Sequence, residues 1–162
     1  KILINKILNV VEDYISNKMN IKLNFEKYKI VNNISSIFES IFHDKFTTYL
    51  VEDGIIRNNL NKKEIMNNVS IPDKLVYCGK KIINLGKISN LEKILKEYKY
   101  IPIIIIYNKN LFIVSKSLKK CKDILDVLKS HLLFSSNDDN LLDTSEINYL
   151  LNWEAEKYRQ KL

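Results

Sequence analysis

The hydrophobic pattern of the chain is clearest between Ile101 and Phe134. Residues 102–106 form an almost unbroken apolar, β-branched run, and the turn-forming residues 107–110 separate it from a second apolar run at 111–114. Beyond them, Ser117 precedes apolar positions at three- and four-residue spacing, which is typical of a capped amphipathic helix. We therefore predict a strand, a tight turn, a second strand and a long helix whose apolar stripe is Leu118, Cys121, Leu125, Leu128 and Leu132.

The run at residues 103–106 does not alternate with polar residues, so both faces of this strand should be covered. Helices must therefore pack on the sheet. Shorter apolar or alternating runs predict further strands at residues 21–25, 46–51, 74–78 and 81–85. Strands in hairpins with helices over them, without regular alternation of strand and helix, indicate an α+β fold.

Amphipathic spacing also predicts helices around the sheet. The first covers residues 1–19, and a short helix capped by Asn33 should end at the polar residues 43–45. Another should run through Leu91 to Tyr98, while residues 62–68 suit either a polar helix or a surface loop. Asp143 and Glu146 have the spacing of a capping box. They predict a terminal helix with the inward stripe Ile147, Leu151, Ala155, Tyr158 and Leu162.

Composition places the chain among ordinary globular proteins, since 46% of its 162 residues are hydrophobic and 28% are charged. This length fits a single domain, residues 1–162, and the start at Lys1 leaves open that it is the C-terminal domain of a longer protein. No apolar run approaches the roughly 18 to 20 residues that span a bilayer, and no signal peptide is evident. We expect a cytoplasmic protein without a membrane partner, in which Cys78 and Cys121 are buried thiols.

A formal charge of +7 at pH 7 raises the question of nucleic-acid binding. The excess comes from lysines scattered along the whole chain, and only Arg57 and Arg159 are arginines. Arginine is the residue that binds phosphates and base edges through two parallel hydrogen bonds, so its scarcity argues against a specialised nucleic-acid binder. Coding bias alone is sufficient to produce such a charge, which leaves open whether the charge has a function.

The residues themselves define no catalytic or metal site. His43 and His131 are far apart in sequence and belong to no cluster with metal-ligand spacing, so we interpret both as structural residues near helix ends. Glu154 and Glu156 are two residues apart and point to different faces of a helix, which excludes a facing acid/base pair. Trp153 lies off the inward stripe of the terminal helix. Because an indole outside a core often marks a contact, the candidate interface is Trp153 with Tyr149 and Arg159.

Three segments resemble the class II aldolase/adducin family. The sequence IIIYNKNLFIVSKSL at 104–118 resembles the family's strand, Asn-His-Gly-Leu turn, strand and following helix. The sequence WEAEKYR at 153–159 is similar to the closing helix of long members, including those fused to a short-chain dehydrogenase. The sequence SIPDKLVYCG at 70–79 resembles a Pro-Asp segment upstream of the hairpin in those members, and the three segments keep the family's order.

The resemblance implies a class II aldolase-like fold, with a mostly antiparallel sheet and helices on its faces. In the family, the histidine of the turn is a zinc ligand; here the turn is Asn108-Lys109-Asn110, with Lys109 in place of that histidine. The HxH pair that supplies the other ligands has no counterpart. A lysine must first lose a proton, from a pKa of about 10.4, before it can bind zinc. The resemblance therefore implies no zinc cofactor in this chain, although zinc serves the family, and it transfers no catalytic residue.

Two functions remain open. The chain could belong to a longer lyase that metabolises a sugar or sugar phosphate and carries its metal ligands elsewhere, as the start at Lys1 favours. It could instead be a non-catalytic binding or assembly module that docks a protein partner through the C-terminal helix, as its domain-like length favours. In either case we expect a homo-oligomer or a missing N-terminal domain to cover that helix. An HxH segment in the reading frame before Lys1 would decide for the lyase.

Trp153 is the only tryptophan and reports directly on this contact. If a second subunit covers an outward indole, its emission maximum should move to the red on dilution, because dissociation exposes the ring to water. Trp153→Ala should then change the assembly state, measured by light scattering, and leave the circular dichroism spectrum unchanged. A blue emission that does not depend on concentration, with loss of folding in the alanine variant, would instead identify Trp153 as a core residue.

Overall fold

The computed structural model describes residues 6–7, 10–11, 25–62, 69–79, 82–97, 104–134 and 141–152. The chain divides into two compact units, Lys1–Ile30 and Val31–Leu162. In the first unit, the described residues 6–7, 10–11 and 25–30 are helical. The second unit contains the sheet, and the order of elements along the described chain is α1 (Phe25–Phe42), β1 (Thr47–Val51), α2 (Gly54–Asn59), α3 (Pro72–Cys78), β2 (Ile83–Leu85), a 3-10 turn (Ile88–Asn90), α4 (Leu91–Glu97), β3 (Ile104–Tyr107), β4 (Asn110–Ser115), α5 (Leu118–Phe134) and α6 (Thr144–Asn152).

The fold is α+β, as predicted, with a four-stranded sheet in the order β1-β4-β3-β2. The β3–β4 hairpin lies at its centre, and β1 pairs antiparallel with β4. The edge strand β2 pairs parallel with β3, so the sheet is mixed, and the expected mostly antiparallel sheet is wrong at this edge. The reason is the connection: β2 reaches β3 through the 3-10 turn and α4, a crossover that returns the chain in the same direction, whereas a tight hairpin would reverse it.

Both faces of the central hairpin are covered, as its unbroken apolar run predicted. Ile104 and Ile113 belong to the core cluster that α5 covers with Cys121, Ile124 and Leu128. Ile105 and Phe112, which are paired across the hairpin, point to the opposite face and are also fully buried. On that face, α1 packs through the hydrogen bond between Ser35 Oγ and Thr48 Oγ1 (2.8 Å) and through Phe38, whose ring centroid is 5.3 Å from that of Phe46.

Helix α5 begins and packs largely as its sequence predicted. Ser117 caps it, because its Oγ accepts a hydrogen bond from the backbone N–H of Lys120 at 3.2 Å. Of the predicted stripe, Cys121, Leu125 and Leu128 are buried and Leu132 is half-buried. Leu118, in the first turn, is 48% exposed, so its assignment to the inward stripe is wrong.

Helix α1 is longer than predicted. It begins at Phe25, so Asn33 lies inside a helix and does not cap one, and Phe25 itself is not the end of a strand. The other residues of that predicted strand, 21–24, lie outside the described residues. The predicted end of the helix is confirmed: the helix stops at Phe42, and His43 adopts a left-handed backbone with φ of 53°, while its N–H bonds the carbonyl oxygen of Glu39.

The predicted strand at 74–78 is wrong, because these residues belong to α3. Local signals explain the helix: Pro72 occupies its first turn, where a missing N–H costs nothing, and Asp73 adds a negative charge at the same end. Gly79 ends the helix with φ of 74°, a backbone that glycine adopts without strain. The predicted strand at 81–85 is confirmed at Ile83–Leu85.

Helix α2 follows β1 after two connecting residues. Asp53 caps it, with Oδ1 accepting from the N–H of Ile55 at 2.8 Å and of Ile56 at 3.3 Å. The other carboxylate oxygen of Asp53 lies 2.8 Å from Nζ of Lys129 on α5. The hydrogen bond from Lys129 holds the pKa of Asp53 below its usual range. Asp53 thus fixes α2 to the helix that covers the core. The segment 62–68 was predicted as either a polar helix or a surface loop. Most of it, residues 63–68, lies outside the described residues.

The capping box that predicted α6 is confirmed in both directions. The N–H of Glu146 donates to Asp143 Oδ1 and the N–H of Asp143 donates to Glu146 Oε2, each at 2.8 Å. Ile147 and Leu151 of the predicted inward stripe are half-buried. The rest of that stripe, 155–162, lies outside the described residues. Across the residues that are described, no helix combines the length and apolarity needed to cross a membrane.

The packing predicts different costs for truncation in the core and at the hairpin turn. Leu128→Ala and Leu125→Ala should each lower the free energy of unfolding by about 2 to 5 kcal/mol, because both side chains lie on the buried face of α5. Lys109→Ala, in the exposed turn, should cost under about 1 kcal/mol. Urea titration monitored by circular dichroism measures all three. A loss at Lys109 equal to that at Leu128 would mean that the lysine takes part in a buried network.

Candidate functional site

The predicted turn between β3 and β4 is a two-residue hairpin turn formed by Asn108 and Lys109. Both have left-handed backbones, with φ of 48° and 58°, the combination that a type I′ turn requires. Asn110 stabilises the turn by donating a hydrogen bond from Nδ2 to the carbonyl oxygen of Asn108 at 2.8 Å. Asn108 and Lys109 are exposed, so the lysine ammonium is presented to solvent at the tip of the most deeply buried hairpin of the sheet.

The structure therefore places the residues of the predicted turn together and leaves them accessible. Lysine offers three hydrogen-bond donors and no lone pair while it is protonated, which suits an anionic group better than a metal ion. In the part of the chain that the structure describes, no three His, Cys, Asp or Glu side chains lie close enough to hold a metal.

A second polar cluster lies where α3 packs on α5. His131, in the last turn of α5, is fully buried, and its Nδ1 lies 3.0 Å from Oγ of Ser70, just before α3. The same segment is held from the other side by the N–H of Leu142, which donates to the carbonyl oxygen of Val69 at 2.8 Å. The structural role predicted for His131 is supported, but the bond to the Ser70 side chain was not foreseen. Ser70 and His131 are 61 residues apart, and no local pattern links them.

Lys74, on α3, is another buried polar residue that sequence reasoning missed. Its side chain is buried, and burial lowers the pKa of its amine to about 8, an effect that Cys78 one turn further along partly opposes. Burial raises the pKa of the Cys78 thiol to about 12, with Lys74 acting in the other direction. Lys74 and Cys78 are four residues apart, so a helix places their side chains next to each other. In the predicted strand they would not be neighbours.

These buried groups have little capacity for nucleophilic chemistry. The thiols of Cys78 and Cys121, with pKa values of about 12 and 11, stay protonated at neutral pH, and the thiolate is the reactive form. The amine of Lys74 is only 2% exposed, which leaves no room for a substrate. We interpret the cluster of Ser70, Lys74, Cys78 and His131 as the contact that positions α3 on α5.

A third feature is a concave surface between α1 and the start of α4. It encloses about 250 Å³, and we call it the serine groove. Among the described residues that line it, four carry a hydroxyl or amide group, two are isoleucines and one carries a carboxylate, and apolar atoms contribute most of the accessible lining surface. No sequence signal beyond the unusual serine and asparagine content of α1 could have indicated it. The lining residues are Asn33, Ser36, Ile37 and Ser40 on one wall and Ile88, Ser89 and Glu92 on the other.

Of the predicted interface residues, the structure describes Tyr149 alone. It lies on α6 and is 67% exposed. Trp153 and Arg159 lie outside the described residues. His43, at the end of α1, is exposed and does not join the cluster around His131.

Comparison of the chain with protein-family models, with curated proteins and with solved structures finds no match.

The buried amine of Lys74 predicts a change in stability with pH. Its pKa of about 8 in the folded protein lies below the ordinary value of 10.5, so the unfolded chain binds more protons between these values and stability rises with pH there. We expect the free energy of unfolding of the wild type, relative to Lys74→Met, to increase by about 3 kcal/mol from pH 7.5 to pH 11.

Urea titrations at several pH values measure this difference, in which the titration of the tyrosines cancels. Lys93→Met, at an exposed position of α4, is the matched control and should show no such relative increase. A pH dependence of Lys74→Met that parallels the wild type would show that the amine keeps its ordinary pKa in the folded state.

Proposed function

We propose that the chain is a class II aldolase-like domain without its own zinc ligands, and that it forms part of a protein that metabolises a sugar or sugar phosphate. The observation that carries the proposal is the accessible turn Asn108-Lys109-Asn110 between two central strands, followed directly by α5. This is the succession of elements that the resemblance places around the metal-binding turn of the family. The parallel β2 edge is a departure from the fold that the resemblance implies.

In this proposal the turn has kept its position and changed its chemistry. Lys109 replaces a neutral ligand by a cation at an exposed tip, and a cation there favours the phosphate of a sugar phosphate over a zinc ion. The metal and the catalytic groups then come from chain outside this sequence. The same proposal puts the protein in the cytoplasm, which the free cysteines Cys78 and Cys121 support, since thiols stay reduced there.

A non-catalytic assembly module is the second candidate, and α6 is the observation that favours it. This helix has a complete capping box, so it is stable at its start, yet it presents the ring of Tyr149 to solvent. Large aromatic side chains supply much of the binding energy at protein contacts. A homo-oligomer or a protein partner docked on α6, with Trp153 and Arg159 further along the chain, would cover this ring.

Zinc analysis tests the first proposal on this chain. Protein purified without chelator should contain well under one zinc per chain, because a catalytic site needs three protein ligands and the turn offers a lysine in place of the histidine. Atomic absorption measures the content. One tightly bound zinc per chain, lost in His43→Ala or His131→Ala, would contradict both the proposal and the structural interpretation of the histidines.

The gene product that contains this chain tests the lyase itself. If its reading frame supplies an HxH segment, it should bind one zinc and cleave a sugar phosphate, and Lys109→Ala should raise KM for the phosphorylated substrate by weakening phosphate binding. Lys119→Ala, an exposed lysine of α5, is the control and should leave KM unchanged. A product without zinc or lyase activity that assembles through α6 would establish the second candidate.

A further inference from the structure

One wall of the serine groove is formed by α1, and the stability of that helix does not explain the amino-acid composition of this wall. Asn33, Ser36 and Ser40 are spaced by three and four residues, so they lie on one face of α1. Serine and asparagine inside a helix are less favourable than alanine, because their side chains compete for backbone hydrogen bonds. The neighbouring Ser35 differs, since its hydroxyl bonds Thr48 and fixes α1 to β1.

The polar groups of the groove are available to a ligand. Within the described part of the chain, the side chains of Asn33, Ser36, Ser40 and Ser89 make no hydrogen bond to protein. All four are exposed and line the same concavity. A hydroxyl group both donates and accepts, and an amide offers two donors and an acceptor. The groove therefore presents a set of mixed donors and acceptors that only solvent or a ligand can satisfy.

The charge of the groove limits the class of ligand. Among the described residues that line it, only Glu92 carries a charge, and the carboxylate of Glu92 already accepts a hydrogen bond from Lys96 Nζ at 2.6 Å. None of these described lining residues is a lysine or arginine, although the chain as a whole carries a net charge of +7. A phosphate or carboxylate in the groove would have to compete with Glu92 for the ammonium of Lys96, whereas the hydroxyl groups of an uncharged molecule find partners directly.

The size of the groove and the apolar part of its lining also favour a small uncharged ligand. A volume of about 250 Å³ is below the range of roughly 300 to 1,000 Å³ typical of pockets for drug-sized ligands, so the occupant is small. Ile37 and Ile88 are half-buried and give the groove an apolar surface beside its hydroxyl groups. A sugar ring has the same mixture, with C–H groups on its faces and hydroxyl groups around its edge.

We propose that the serine groove binds a neutral monosaccharide or a polyol of similar size. The hydroxyls of Ser36, Ser40 and Ser89 and the amide of Asn33 bond its hydroxyl groups, and Ile37 contacts its C–H face. This site shares no residue with the Asn108-Lys109-Asn110 turn, and the inference stands on the groove alone, without the aldolase-like proposal.

Nuclear magnetic resonance titration of the uniformly ¹⁵N-labelled chain tests the proposal. D-Ribose, D-glucose, D-galactose, myo-inositol and glycerol are titrated separately. We expect at least one of them to produce saturable shifts of the backbone amide signals of residues 33–40 and 88–92. The signals of the β3–β4 turn should not move, which separates this result from any outcome of the zinc and lyase assays.

Alanine variants show whether the hydroxyl groups bind the sugar. Ser36→Ala and Ser40→Ala introduce a better helix former, so the fold is retained, and each should weaken the affinity by about 2- to 12-fold, as expected for one lost hydrogen bond. Asn32→Ala is the matched control, because Asn32 is exposed on the same helix but does not line the groove, and it should leave the affinity unchanged.

Three results would overturn the proposal. The first is the absence of saturable shifts in the groove with all five probes. The second is an affinity that Ser36→Ala and Ser40→Ala leave at the wild-type value. The third is binding of D-ribose 5-phosphate at these residues more than roughly tenfold tighter than D-ribose, which would make the groove an anion site.

Discussion

Burial of the β3–β4 hairpin on both faces is the constraint on which the rest of the fold depends. Successive side chains of a strand point to opposite sides, so a strand that is buried at every position needs two covering layers. Ile104 and Ile113 are closed off by α5, and their neighbours Ile105 and Phe112 by the opposite layer, to which α1 belongs. A helix on one face alone would leave half of the most apolar segment of the chain in water.

The hairpin also fixes where accessible chemistry can occur. Its strands are buried except at the residues next to the turn, so the polar groups that it presents lie between Tyr107 and Asn110. The buried polar groups around α3 act differently: the bond between Ser70 and His131 holds that helix on α5, while the buried amine of Lys74 opposes its burial.

Local signals in the sequence were sufficient where the elements are determined locally. The hairpin, the cap at Ser117 and the capping box of Asp143 and Glu146 were all predictable, because each depends on residues a few positions apart. The parallel pairing of β2 with β3 was not, since strand direction follows from the path of the connection rather than from the strand itself. The prediction of a strand at 74–78 was wrong because a run of only five residues, partly apolar, fits a strand and a short helix equally well. Pro72, which is favoured in the first turn of a helix, was the more informative residue.

The site was less predictable than the fold for the same reason. The turn could be located because it is contiguous in sequence. The contact of Ser70 with His131 and the two walls of the serine groove join segments that are distant along the chain, and no spacing rule reaches across such distances. The dense serine and asparagine content of α1 is evident in the sequence. The capping role predicted for Asn33 would account for part of that content, so the pattern alone does not indicate a groove.

The two buried cysteines make local opening of the protein measurable by thiol labelling. Both thiols belong to the core cluster beneath α5, and both are neutral in the folded state because burial raises each pKa. An alkylating reagent can react only when the cover lifts and the thiol meets water, where it ionises far more readily. The rate at which the folded protein is labelled therefore measures how often α5 separates from the sheet or from α3, a motion that no static contact reveals.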